Sequence, residues 1–141
     1  MRTFKIAQGD TANDAIISNV IDTVEYRDDY VGGGIDPDGI RHGPYWISSI
    51  SPSSFDEIGA TSATDIFYKW LLNCGTIPPS LTNELEQSVV NAIARSESVY
   101  VLKKLDETAI NDYGNLHMEF HELIAIDRTS DKVALIVLTD D

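Results

Sequence analysis

Apolar and polar positions first alternate at "TFKIAQ" (3–8), where Phe4 and Ile6 stand against Lys5 and Ala7, the period of a short strand. From 9 to 26 the period changes. Ala12, Ile16, Val20 and Val24 recur every four residues, and Ile17 and Ile21 widen the stripe, which predicts a helix over 11–24 with one buried face. Thr11 with Asp14 three residues on forms a capping pair, with Asp10 as the alternative cap. Ser51 and Pro52 suit the cap and first position of one short helical turn within 51–60. A helix follows over 63–74, with Ile66, Trp70 and Cys74 on one stripe, Phe67, Leu71 and Leu72 beside it, and Gly75 as a left-handed cap. After the rigid "TIPPS", Leu81, Leu85, Val89 and Ile93 predict a third helix over 81–95. Glu84 and Glu86 lie near its start and Arg95 near its end, matching the helix dipole.

The remainder reads as sheet. "VYVLKKL" (99–105) is strand-like and "NDYGN" (111–115) is turn chemistry. "LHMEFHELIAID" and "KVALIVLTD" flank "RTSD" and predict an antiparallel hairpin turning at 128–131. Val133 to Leu138 are continuously apolar, as in a central strand covered on both faces. Strands at both ends enclose helices. The expected class is therefore α+β: one domain over 1–141, with a mainly antiparallel sheet of five or six strands and three helices packed on one face.

One stretch resists that simple reading. "DDYVGGGIDPDGIRHGPYW" (28–46) holds three consecutive glycines, a DPDG tetrapeptide and a histidine. A phosphate loop would need a Lys-Ser/Thr pair after its glycines, and a dinucleotide fingerprint would need G-x-G-x-x-G; neither is present. Asp36, Asp38 and Gly39 are a fragment of an EF-hand calcium loop, but Arg41 and His42 follow where ligands are required. A hairpin explains the stretch better, with "YVGGGI" and "IRHGPYWISSI" as strands, a turn at 36–39 and Gly39 at positive φ. Gly32, Gly33 and Gly34 would then be a strand segment on which a partner or ligand could rest. Of Tyr45 and Trp46, alternation sends one inward and one outward, and the outward ring is a candidate anchor for a partner.

Composition narrows the function classes. The 141 residues are 43% hydrophobic and 23% charged, an ordinary globular balance. No apolar run is long enough for a membrane span, and the first residues lack the apolar core of a signal peptide. The single cysteine, Cys74, forms no internal disulfide and reads as buried and inert, at a helix end where the dipole disfavours a thiolate. The expected compartment is the cytoplasm. The net charge is −13, with acids in excess in every third of the chain, which opposes nucleic acid and anionic membranes and favours basic proteins.

Catalytic signatures are absent. "ISSISPSS" has no nucleophile elbow, and no Ser-His-Asp partnership follows from spacing. The one constellation with chemistry is "HMEFHE". On a strand, His117, Glu119 and His121 share a face, and two imidazoles with a carboxylate could hold a divalent metal. A solvated polar strand face accounts for the same residues. Two function classes remain. One is a non-catalytic protein-binding module, an inhibitor or immunity-type partner of a basic protein such as a nuclease, which needs no cofactor. The alternative is a small metal-dependent enzyme or ligand-binding domain built on His117, Glu119 and His121.

Overall fold

The structure, a computed structural model, describes residues 1–7 and 12–140. The cap expected at Thr11 or Asp10, the end of the first strand at Gln8, and Asp141 lie outside the described residues. The elements in chain order are β1 (Arg2–Lys5), α1 (Asn13–Ile21), β2 (Arg41–His42), β3 (Tyr45–Trp46) and β4 (Phe55–Ile58). There follow α2 (Ala60–Asn73), α3 (Pro79–Leu85), α4 (Asn91–Arg95), β5 (Ser98–Leu102), β6 (Phe120–Asp127) and β7 (Lys132–Thr139). Five strands form a mainly antiparallel sheet in the order β1-β7-β6-β5-β4, and β2 and β3 form a second, two-stranded sheet. The chain is α+β.

Contacts within the chain define two compact units, each drawn from three stretches. The first comprises Met1–Ile6, Glu57–Val101 and His121–Leu138. Its core joins α2 and α4 to one face of the sheet: Ala63, Phe67 and Ile93 pack with Val99, Leu123, Ala125, Ile136 and Leu138. Full burial of side chains the size of Phe67, Ile93 and Leu123 stabilises by about 1.5–3 kcal/mol each. The residues between them in sequence, Ile124, Ile126, Val133 and Leu135, are also buried, so β6 and β7 read as apolar runs because both their faces are covered. Their turn is closed by Ser130 N–H donating to Asp127 Oδ1 at 3.2 Å, with Asp131 left-handed at φ 55°.

Two helical stripes depart from expectation. Positions four apart overshoot a full turn by about 40° at 3.6 residues per turn. Leu81 is therefore rotated away from the face of Ile93 and is 44% exposed. A π-helical stretch, Glu86–Val90, joins α3 to α4 and re-aims the chain so that Val89, Ala92 and Ile93 reach the core. Cys74 is also exposed rather than buried, though it shares the face of Phe67, because it stands at the end of the helix. It caps α2, one step past Phe67 and Trp70, with its Sγ 3.3 Å from the Trp70 carbonyl. Gly75 follows at φ +77°, the expected left-handed cap. The turn at Ser51 is a 3-10 helix, Pro52–Ser54, in which the Ser54 hydroxyl accepts from Ser51 N–H at 3.1 Å.

The second unit comprises Ala7–Asp56, Leu102–Phe120 and Thr139–Asp141. Within it α1 buries Ile16, Ile17, Val20 and Ile21 and lies against Pro52–Ser54; Ala12 and Val24, expected on the same stripe, lie beyond its ends and are exposed. The glycine-rich stretch differs from the expected hairpin. The turn at 36–39 exists, closed by Gly39 N–H to the Asp36 carbonyl at 2.8 Å. Gly39, however, is not left-handed; Gly32, Gly34 and Gly43 are, at φ +105°, +72° and +52°. Positive φ at Gly32 and Gly34 is incompatible with a strand, so Gly32 to Gly34 form an exposed loop tip, and Ile35 bridges back to Asp28. The hairpin forms one turn later, β2 to β3 around Gly43-Pro44, with Arg41 opposite Trp46 and His42 opposite Tyr45.

Candidate functional site

The β2–β3 hairpin is short, and two strand residues a side do not hold a ribbon without help. Asn111 supplies it. This side chain is buried, and its Nδ2 donates to the carbonyls of Gly43 at 2.9 Å and Tyr45 at 3.0 Å. Its Oδ1 accepts from Tyr113 N–H at 2.8 Å, and its own N–H donates to the Pro44 carbonyl at 2.8 Å. One residue thereby fastens the hairpin to the 111–113 turn.

On the inner side of the hairpin sits an aromatic cluster. His42 is fully buried and stacks on Tyr26, with ring centroids 3.5 Å apart and planes within 4°. Its Nδ1 lies 2.6 Å from the Tyr26 carbonyl, which only accepts, so Nδ1 carries the proton. Tyr30 and Phe120 meet the same ring edge-on at 5.8 and 5.9 Å. No side chain fits beside this packing at Gly43, where a Cβ would stand 2.4 Å from the Phe120 ring.

The outer side carries a charged and aromatic platform. Arg41 makes a bidentate pair with Asp112, Nε to Oδ1 at 2.6 Å and Nη2 to Oδ2 at 2.7 Å. Its guanidinium also lies over two rings, 4.5 Å from the Tyr113 centroid and 5.3 Å from that of Trp46. The hydrogen bond to Asp112 raises the Arg41 pKa further, and the same bond holds the Asp112 carboxyl below the usual carboxylate range. Alternation along β3 is as expected: Tyr45 is buried, and Trp46 is half-buried on the outer side.

The other sequence candidates lie as follows. Around Gly32, Gly33 and Gly34 there is open space, with nothing within 4 Å of a Cβ at any of them. His117 and Glu119 precede β6, so strand alternation does not align them with His121. The His117 Nε2 donates to the Asp29 carbonyl at 2.9 Å, leaving no lone pair there, and Nδ1 is 3.2 Å from the Thr139 hydroxyl. Among the described residues no three His, Cys, Asp or Glu side chains come together to hold a metal, and His117, Glu119 and His121 are no exception. Spacing alone pointed to them; the strand begins too late to unite them.

Charge redistributes once the chain is folded. The second unit holds fifteen acidic and four basic residues, a net charge of −11; the first holds eight and six, a net charge of −2. Arg41, Asp112 and Tyr113 escaped the sequence reading because Arg41 and Asp112 are 71 positions apart. The "NDYGN" turn was visible as a turn, with no sign that its side chains reach the hairpin. No family model, curated protein or solved structure matches the chain. No helix among the described residues is long and apolar enough to cross a membrane.

Proposed function

We propose that the protein is a non-catalytic binding module, of inhibitor or immunity type, whose partner is a cationic protein. The observation that carries this reading is the gathering of charge: the second unit, at −11, bears nearly the whole excess of −13. A field of one sign on one unit steers an oppositely charged protein to it and speeds encounter; it repels nucleic acid. Four polar side chains of this unit that could do chemistry serve structure. Asn111 binds backbone, His117 and His42 bind carbonyls, and Asp112 is taken by Arg41.

The test is affinity capture from the native lysate at low and high salt, with recovered proteins identified by mass spectrometry, beside a titration against labelled DNA and RNA. The expected result is a lysine- or arginine-rich protein whose recovery falls as salt rises, and no binding of nucleic acid at physiological salt. Tight nucleic acid binding, or a captured partner that is acidic and indifferent to salt, would end the proposal.

A further inference from the structure

We infer that the contact with the cationic protein is anchored on the outer face of the β2–β3 hairpin, by Trp46, Arg41 and Tyr113; this rests on the binding-module reading above. Three observations converge on that face. First, Trp, Tyr and Arg are the residue types on which interface energy concentrates. Second, the group is ordered before any partner arrives. Asp112 grips the guanidinium in two bonds, the guanidinium lies over both rings, and Asn111 holds the backbone beneath. Side chains already held in place lose little freedom on binding. Third, the face is accessible, with Tyr113 42% exposed and the Asp112 side chain 53% exposed.

Charge selects the occupant. Asp112 neutralises Arg41, and Asp29 also acts on that guanidinium. The rings thus sit in the field of a unit at −11 with no uncompensated cation among them. A lysine or arginine on the partner can lay its methylene stem along Tyr113 or Trp46 with its head held in the field of this unit's acids. The exposed apolar hollow at Tyr68, Leu71, Leu72 and Ile77 belongs to the nearly neutral first unit and has no such complementarity.

The experiment uses the partner recovered by capture, purified, against the full chain. Trp46→Ala and Tyr113→Ala are compared with a double variant, Asp36→Asn with Asp38→Asn, which removes charge without altering a platform residue. Both alanine variants are expected to weaken binding about tenfold or more at either salt, through faster dissociation. The charge variant should slow association and flatten the salt dependence while leaving dissociation nearly unchanged. Hydrogen exchange on the unaltered complex guards against a variant that misfolds, and residues 41–46 and 111–114 should gain protection. Unchanged affinity in both alanine variants, or protection confined elsewhere, overturns the anchor and leaves the partner's charge class standing. Recovery of no cationic protein overturns both.

Discussion

Asn111 ties the hairpin to the 111–113 turn through its side chain. Replacing it by Ala removes a hydrogen bond from each of the Gly43 and Tyr45 carbonyls and from the Tyr113 N–H. That should cost about 2–3 kcal/mol, since each lost bond is worth roughly 1 kcal/mol and a stranded buried group adds more. Asn111→Asp should be worse near neutral pH, because a carboxylate would face two carbonyl oxygens; the gap between the variants should narrow in acid, where the protonated form can donate. Urea unfolding of both variants at two pH values checks the order. Glycines offer a second contrast. Gly43→Ala meets both a left-handed backbone and the Phe120 ring, and should cost about 2–4 kcal/mol. Gly33→Ala enters open space with no left-handed penalty and should stay within about 0.5 kcal/mol of the parent. Equal effects at the two glycines would contradict the assigned hairpin.

At the scale of elements, the β6–β7 turn is clipped from outside by Glu97, which accepts from Arg128 N–H and from the Thr129 hydroxyl, both at 2.8 Å. The Arg128 bond, then the Thr129 bond, holds the Glu97 carboxyl below its ordinary value of 4.5. Asp112 is likewise held below 3.8 by Arg41. A depressed carboxyl contributes stability above its unfolded value and loses it as pH falls through the folded one. Stability should therefore decline below about pH 4.5, and Glu97→Gln should flatten that acid limb; an unchanged limb would show that the clip contributes nothing. Legibility at this scale followed length and periodicity. The 120–139 hairpin and α2 were visible because eight or more residues repeat one pattern. β4 was not: Phe55–Ile58 is four residues at the sheet edge, with Asp56 and Glu57 in its middle. The β2–β3 hairpin was misplaced because Asp36-Pro37-Asp38-Gly39 is a strong turn signal that here closes a turn without pairing strands. Trp46 was singled out by alternation, but Asp112 and Tyr113, which complete its platform with Arg41, come from a distant turn.

For the whole molecule, the asymmetry between −11 and −2 was hidden because each unit collects stretches from both halves of the chain, so counts along the sequence average it away. Self-repulsion in the acidic unit opposes folding, and screening relieves it. Moderate sodium chloride should therefore raise the melting temperature, and a calorimetric series with no rise would show that the acids lie too far apart to repel. The pairing of β1 with β7 has a consequence for biosynthesis. Arg2 stands opposite Leu135, 133 positions later, so β1 waits through the synthesis of that whole stretch before it has a neighbour. Pairings so distant in sequence are slow to close, and the early strand stays unpaired meanwhile. Closure of this sheet thus waits for β7 to be made, and nascent chains stalled before residue 132 should remain sensitive to protease at β1, whereas chains extended well past β7 should resist it.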